Sequence, residues 1–157
     1  MPIYMKFGDA IKGDVTSKGH ENWINLSSFQ WGLGRGISSS QGSAENRTAT
    51  GASVSEVVVT KALDNASGDL LQEMLKGLLD KDVQVDFTEV KDNNVFMTYK
   101  MTNTGISGFS SSSGGDRPTE SVSLNFTKIA ITNTKKDAQG NNTPNTITYD
   151  LGLESLV

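Results

Sequence analysis

Two stretches of this 157-residue chain alternate apolar and polar residues and then change parity midway. In the first, Ile24 and Leu26 share one parity, and Phe29, Trp31 and Leu33 share the other. The second, over residues 122–131, repeats the pattern. Because a slip of one residue moves every apolar side chain of a strand to the opposite face, each switch indicates a bulge or bend. Strands that change face midway suit a curved sheet or a barrel, so the chain is predicted to be mainly β.

Other segments extend this prediction. Residues 2–8, 83–87 and 95–101 alternate with period two, and the last two are separated by Asp and Asn residues that suit a hairpin turn. The run Val57, Val58, Val59 lacks alternation, which is typical of a strand covered on both faces. The sequence therefore predicts an antiparallel pair within residues 83–101 and further strands around it.

One segment has helical periodicity. Its apolar residues recur at i, i+1, i+4, i+5, i+8 and i+9, namely Leu70, Leu71, Met74, Leu75, Leu78 and Leu79. This spacing gives an apolar stripe about 100° wide or more. It predicts a single amphipathic helix over about residues 67–80, with Ser67 as its N-cap.

Three long polar stretches remain, over residues 38–53, 107–119 and 133–145. Structureless loops beyond about 12–15 residues are uncommon inside compact domains. The first stretch has almost nothing apolar to bury, so we expect a long extended loop over about 38–53 that something outside the monomer orders.

Composition excludes several classes of function. The chain has no cysteine and one histidine, so it has no disulfide, no thiolate zinc site and no cysteine nucleophile. Its net charge is −4 and it lacks a basic stripe interleaved with aromatic residues, so nucleic acid is not an expected partner. No apolar run is long enough to predict membrane insertion. The length fits a single domain over residues 1–157, and no cofactor is expected.

The N-terminal segment bears on where the protein acts. Residues 1–10 alternate apolar and polar residues instead of presenting a basic segment followed by an apolar run. No signal peptide is therefore expected, and the protein is expected to be made in the cytoplasm.

Catalytic interpretations find little support. His20 with Ser17 or Ser27 and a nearby carboxylate is conceivable as a triad, but no serine lies in a G-x-S-x-G elbow. His20 is more simply a solvated loop residue. Three alternate glycines at 32, 34 and 36 resemble a phosphate loop, yet no helix follows, which favours tight turns or close packing.

Two further groups invite a binding interpretation. The carboxylates of Asp64, Asp69, Asp80 and Asp82 lack calcium-loop spacing and are best explained as solvated helix ends and turns. Trp23 and Trp31 lie eight residues apart on one parity, which suits either a sugar-stacking platform or burial in the core or a subunit interface.

A family resemblance extends this interpretation. Residues 113–129, S-G-G-D-R-P-T-E-S-V-S-L-N-F-T-K-I, resemble the C-terminal signature of the haemolysin-coregulated protein (Hcp) family, the tube protein of type VI secretion systems. Residues 12–24, 27–32, 56–61 and 149–151 also resemble that family, in the same order. Residues 133–148 match it least.

The resemblance implies a compact β-barrel of two packed, curved antiparallel sheets with one amphipathic helix at its side. Six copies would close into a ring, and rings would stack into a hollow tube inside a contractile sheath, with a spike at the tip and effectors as cargo. Secretion would proceed through the same apparatus. On this basis the protein is not expected to be an enzyme.

The resemblance also suggests roles for three sets of residues. The extended loop would contact the neighbouring subunit through Gly42, Glu45, Arg47 and Gly51. The signature turn consists of Gly114, Gly115, Asp116, Arg117 and Pro118. Candidate lumen residues are Asn25, Ser27, Ser28 and Gln30.

Two alternatives stay open at this point. A carbohydrate-binding β-sandwich module would use Trp23 and Trp31, and a small hydrolase would use His20 with a serine.

Overall fold

A computed structural model describes residues 1–39 and 47–157. Its described part contains one helix, α1 (Ser67–Lys76), and twelve strands. The strands are β1 (Ile3–Phe7), β2 (Ile24–Leu26), β3 (Ser28–Gln30), β4 (Leu33–Ser39), β5 (Arg47–Val54), β6 (Val57–Ala62), β7 (Lys81–Thr88), β8 (Val95–Ser112), β9 (Thr119–Asn125), β10 (Lys128–Lys136), β11 (Asn142–Asp150) and β12 (Ser155–Leu156).

Two antiparallel sheets share the 18-residue strand β8. Up to Thr104, β8 pairs with β7 and β10 in the first sheet, whose order is β12-β11-β10-β8-β7-β1-β2. From Gly105 onward, β8 pairs with β9 in the second sheet, whose order is β3-β6-β9-β8. The prediction of two packed, curved sheets with one helix is confirmed.

Both parity switches mark the points where the chain crosses from one sheet to the other. β2 pairs with β1 in the first sheet, and β3, which begins one residue beyond Ser27, pairs with β6 in the second. Phe126 and Thr127 likewise separate β9 of the second sheet from β10 of the first. The bend predicted at residues 27–28 is therefore a corner of the structure.

The core lies between the sheets. Met5, Phe7 and Val85 of the first sheet face Val59 and Leu124 of the second, and all five side chains are fully buried. Val58 is only half-buried, so the valine run belongs to a strand covered on one face and not on both.

Helix α1 begins where expected but ends at Lys76, four residues earlier than predicted. The N–H of Gly77 still donates to the carbonyl of Glu73, but Gly77 itself takes an extended conformation (φ −68°, ψ 156°). This change of backbone conformation ends the helix. Ser67 is not the N-cap. Ala66 occupies that position, and the carboxylate of Asp64 accepts the N–H of Ala66 at 2.9 Å.

The stretch predicted as an extended loop, residues 38–53, is instead part of a hairpin in its described portion. β4 and β5 pair with each other in a separate two-stranded sheet, with a register shift next to Gly36. Residues 40–46, including Gly42 and Glu45, lie outside the described residues. The polar composition of these two strands reflects their exposure to solvent and not a lack of strand pairing. Most of residues 107–112 and 133–145, which were also predicted as loops, likewise form exposed, paired strands.

Candidate functional site

The hairpin of β4 and β5 has two different faces. Leu33, Arg35 and Ile37 alternate along β4 and therefore point to one face. Strand β5 contains one extra residue at the register shift, so its residues on that face change parity there. They are Val54, Ala52, Ala49 and Arg47. We call Leu33, Ile37, Ala49 and Ala52 the hairpin apolar face. Leu33 is 61% exposed and Ile37 is 52% exposed, and only Val54, at the base, packs against the core.

The opposite face of the hairpin is small and polar. The N–H of Gly36 donates to Oγ1 of Thr50 at 2.9 Å, and Oγ of Ser53 donates to the carbonyl of Gly34 at 3.2 Å. A Cβ atom at Gly36 would lie 3.0 Å from Oγ1 of Thr50, so the glycine allows close cross-strand packing. This supports close packing over the phosphate-loop interpretation.

An isolated two-stranded hairpin is marginally stable in water. This hairpin pairs with no other strand of its own chain in the described residues, yet it presents aliphatic side chains to solvent. The arrangement favours contact with another molecule along the hairpin apolar face.

The strands of the second sheet carry no charged residue on their outward face, although exposed Glu56, one residue before β6, lines the same surface beside Gln30, Val58 and Ser123. Paired positions across β3, β6, β9 and β8 place hydroxyls side by side, and we call them the hydroxyl face: Ser28, Thr60, Ser110, Ser121 and Ser123. Oγ of Ser28 lies 2.5 Å from Oγ1 of Thr60. Lys61 and Glu120, the charged residues of these strand segments, point inward and are buried.

The four candidate lumen residues are all exposed but do not share one strand. Ser28 and Gln30 lie on the outward face of the second sheet, Asn25 lies in the first sheet, and Ser27 lies at the corner between them. The remaining members of the hydroxyl face are residues that sequence reasoning missed. Their signal was the alternation of serine with buried Val122 and Leu124 in β9.

A buried ionic network lies beneath the hydroxyl face. Lys61 is fully buried, and its Nζ lies 2.7 Å from Oε1 of Glu120 and 2.8 Å from Oδ1 of Asp64. Nζ also donates to Oγ of Ser67 and to the carbonyl of Ala62, both at 3.0 Å. Because Ser67 opens α1 and donates to Glu120 at 2.6 Å, the network ties the helix to β6 and β9.

Sequence reasoning also missed this network. Lys61 has the same strand parity as buried Val57 and Val59, and Glu120 has the parity of buried Val122 and Leu124. The available signal was therefore a lysine and a glutamate at positions that face the core. Because buried charges require partners, this pattern predicts that the two side chains pair with each other.

The signature turn joins β8 to β9 and contacts the segment before α1. Nε of Arg117 donates to the carbonyl of Leu63 at 2.6 Å, and the N–H of Leu63 donates to the carbonyl of Pro118 at 3.0 Å. Gly115 has a φ of +108°, which favours glycine there. Arg117 therefore bonds to backbone, and no ion pair with Asp116 occurs in the described structure.

His20 lies in the interior and not in a solvated loop. Its Nε2 is 2.8 Å from Oδ2 of Asp86, whose Oδ1 accepts hydrogen bonds from Gln84 and Thr98. The rings of Tyr4 and Trp23 flank the imidazole.

The serines proposed as nucleophiles do not bond to this imidazole. Oγ of Ser17 accepts a hydrogen bond from Nδ2 of Asn93, and Nδ1 of His20 has no hydrogen-bond partner among the described residues. The described geometry therefore does not bring His20 together with Ser17 or Ser27 as a triad.

The tryptophans give no support to a sugar platform. Trp23 packs edge-on against His20, whereas Trp31 packs against Tyr99, which belongs to a separate group of rings with Phe29 and Phe87. Burial raises the pKa of the Tyr99 hydroxyl. Each tryptophan thus contributes to packing within the protomer.

A cleft of about 640 Å³ lies at one end of β1, β7 and β8. Its lining charges largely pair with one another: Nζ of Lys81 lies 2.8 Å from Oδ1 of Asp80, and Nζ of Lys6 lies 3.3 Å from Oδ1 of Asp9. The Lys81 hydrogen bond lowers the pKa of Asp80, and the same contact raises the pKa of Lys81. Among residues 1–39 and 47–157, no three potential ligands cluster to hold a metal ion.

Replacing His20 by phenylalanine is expected to lower the free energy of unfolding by about 1–3 kcal/mol, because the carboxylate of Asp86 loses a hydrogen-bond donor in a buried position. Phenylalanine keeps a ring between Tyr4 and Trp23. Denaturant unfolding measures the change. Thr98→Val, which removes a second donor to the same carboxylate, should produce a smaller loss, and an unchanged stability in His20→Phe would show that the pair contributes nothing.

A family model described as "Type VI secretion system effector, Hcp" matches residues 4–132. No curated protein matches the chain. The single described helix has ten residues, too few to cross a bilayer.

Several solved structures share the fold. A structure of a type six secretion system protein is 24% identical, with 99% of each chain covered and a TM-score of 0.87. Hcp1 from Salmonella typhimurium is 20% identical, with 100% of each chain covered and a TM-score of 0.76. A type VI secretion system effector from Yersinia pestis is 22% identical, covering 94% of this chain and 98% of that one, with a TM-score of 0.72.

Proposed function

Because this chain belongs to the Hcp family and is a type VI secretion tube protein, we propose that six copies close into a ring through the β4–β5 hairpin. Family members form oligomeric rings and are secreted through the type VI system. The hexameric number, the stacking of rings into a hollow tube, and the sheath, spike and effector partners are part of the proposal.

The observation that carries the proposal is the uncovered hairpin. The hairpin apolar face exposes Leu33 and Ile37, and β4 and β5 pair only with each other in the described structure. A second copy that covers this face would supply the packing layer that a lone hairpin lacks. Arg47 lies on the same face, and Gly51 lies in the register shift of β5. Gly42 and Glu45 complete the proposed contact segment.

The hydroxyl face is the proposed lumen wall. Small uncharged hydroxyls offer passing cargo no ion pair, and their hydrogen bonds compete with water, so the net gain per contact is only about 1 kcal/mol. Such a wall holds cargo weakly and releases it. Ser28 belongs to this proposed surface and Gln30 lies on the same side of the second sheet, whereas Ser27 lies at the corner and Asn25 in the first sheet.

The proposed work of the protein is mechanical and requires no bond to be made or broken. Rings must associate strongly enough to build a tube and separate after delivery. Stacking faces smaller than about 1,200 Å² in total would meet both needs, since interfaces of that size are weak. The signature turn, Gly114 to Pro118, is proposed to support the protomer by holding the start of α1.

Native mass spectrometry and negative-stain microscopy of the purified protein test the proposal. We expect six-fold annular particles, because the hairpin face is covered only in the assembly. Since the chain lacks cysteine, a gold label on Ser28→Cys should lie inside the annulus. A label on Lys100→Cys, at an exposed position of β8 in the first sheet, should lie outside it. A species that stays monomeric at high concentration would contradict the ring, and a label from Ser28→Cys on the outer rim would contradict the lumen assignment.

A further inference from the structure

A cavity of about 390 Å³ lies at the junction between the β4–β5 hairpin and the second sheet. Gln30, Val58 and Ser123 line it from the sheet, where they are neighbours across β3, β6 and β9 on the outward side. Gly32 and Ser55 line it from the base of the hairpin, where the N–H of Gly32 donates to Oγ of Ser55 at 2.9 Å. We call it the hairpin-base pocket, and it borders the proposed lumen wall.

The hairpin-base pocket contains an unpaired carboxylate. Of the described residues that line it, Glu56 alone is charged, and its side chain is exposed. The hydroxyl of Ser107 donates to one carboxylate oxygen of Glu56, and the other oxygen has no hydrogen-bond partner among residues 1–39 and 47–157. The carboxylate makes no ion pair within that part of the chain either. Glu56 can therefore bind a cation that another molecule brings.

The basic residues of the neighbouring strands point elsewhere. Lys61 is fully buried and binds Glu120 beneath the sheet. Arg35 and Arg47 lie on the side of the hairpin that carries the hairpin apolar face, whereas Gly32 lies on the polar side. In the proposed ring the apolar side contacts the next copy, so these arginines are directed to that contact and not to the pocket.

The groups around Glu56 suit an arginine side chain. Besides the carboxylate, the pocket offers the amide oxygen of Gln30 and the hydroxyl of Ser123 as acceptors. A guanidinium group has several N–H donors, no acceptor and a planar face that stacks on aromatic rings. Trp31 also lines the pocket and supplies an aromatic ring, to which cations are attracted. The pocket thus combines a negative charge, neutral acceptors and an aromatic ring.

We propose that the hairpin-base pocket binds an arginine side chain of a protein cargo inside the ring. This inference rests on the proposed function and adds the chemistry of one cargo contact to it. The hydroxyl face offers cargo no ion pair, so the pocket is the place where an ion pair forms. Each subunit contributes one pocket, and exposed ion pairs are individually weak. Several such contacts together retain a cargo that each one alone would release.

A peptide titration tests the pocket. N-acetyl-Gly-Arg-Gly-amide is added to the purified wild-type protein, and tryptophan fluorescence is followed because Trp31 lines the pocket. The same peptide with citrulline in place of arginine keeps the shape without the charge, and is expected to bind at least about threefold more weakly. Trp31→Phe should remove the fluorescence response. Trp23→Phe should keep it, since Trp23 packs against His20 elsewhere in the protomer.

A conservative substitution assigns the charge preference to one residue. Glu56→Gln removes the charge and keeps an oxygen for the hydroxyl of Ser107. It is expected to raise the dissociation constant of the arginine peptide at least about threefold and to abolish both its advantage over the citrulline peptide and its weakening by salt. Glu89→Gln changes an exposed carboxylate in the turn after β7 and should leave the dissociation constant within about twofold of wild type. Circular dichroism checks that both variants are folded.

Each outcome decides the inference. Rings whose preference for arginine depends on Glu56 support it. Equal binding of the two peptides, binding of neither, or a preference that persists in Glu56→Gln overturns it while the proposed function stands. A wild-type protein that forms no rings overturns the proposed function and the cargo role of the pocket together, even where the preference for arginine is present.

Discussion

Replacing Lys61 by methionine is expected to lower the free energy of unfolding by about 3–5 kcal/mol, because it leaves the buried carboxylate of Glu120 without its ion-pair partner. Lys61 is fully buried, and Glu120 is 3% exposed. The loss would be a large share of the total stability of about 5–15 kcal/mol that a domain of this kind has. Denaturant unfolding of wild type and variant at one protein concentration measures it.

A second variant separates the ionic contribution from the packing contribution. Lys61→Met combined with Glu120→Leu removes both charges from the β6–β9 pair and should recover part of the loss, since an apolar pair of similar volume often replaces a buried ion pair at little cost. Lys6→Met removes an exposed lysine that pairs with Asp9, and should cost less than about 1 kcal/mol. A double variant less stable than Lys61→Met would show that the ionic network itself is stabilising.

Deleting residues 44–52 is expected to weaken ring formation strongly while the body of the protomer remains folded. The deletion removes most of β5, which pairs only with β4, and leaves both sheets and α1 intact. Burial of Leu33 and Ile37 across the interface is worth about 1.5–3 kcal/mol for each side chain, so the midpoint concentration for assembly should rise more than about 100-fold. Native mass spectrometry over a concentration series measures the shift.

A point variant checks that the deletion acts through the apolar face. Leu33→Ser with Ile37→Ser should weaken assembly in the same direction, whereas Val90→Ser, on an exposed turn elsewhere, should not. An unchanged hexamer in the deletion variant would mean that the hairpin does not contribute to the ring.

Local patterns predicted much of the fold. The parity switches at residues 27–28 and 126–129 reported the corners because burial against one core forces the apolar parity to change when a strand changes sheets. The leucine spacing predicted α1 because a helix must bury one face. It overestimated the length, since Leu78 and Leu79 continue the spacing beyond the helix, where both are exposed.

The main error of the sequence-based prediction was the β4–β5 hairpin, which was predicted as a loop. Neither face of the hairpin contributes extensively to the core of its own chain. Its composition is therefore typical of a loop, with small and polar residues such as Gly34, Gly36, Thr50 and Ser53. The apolar residues of β5 do not alternate regularly, because the register shift beside Gly36 changes which positions share a face. A strand that buries little within its own chain lacks the alternation of buried and exposed residues on which sequence reasoning depends.

The ionic network and the position of His20 were not predicted, for a related reason. Charged and polar residues are usually exposed, so Lys61, Glu120 and His20 were assigned to solvent or left unassigned. Their partners are distant in sequence: Glu120 is 59 residues from Lys61, and Asp86 is 66 residues from His20. The pairing depends on topology.

The sharing of β8 by both layers limits how the protomer can deform. A sandwich whose layers were joined only by loops could shear between them, but here one 18-residue strand pairs in the first layer up to Thr104 and in the second from Gly105 onward. Sliding one layer past the other would require breaking that ladder. Under axial load each copy should therefore behave as a stiff block, and any compliance of the assembled column should reside in its β4–β5 arms.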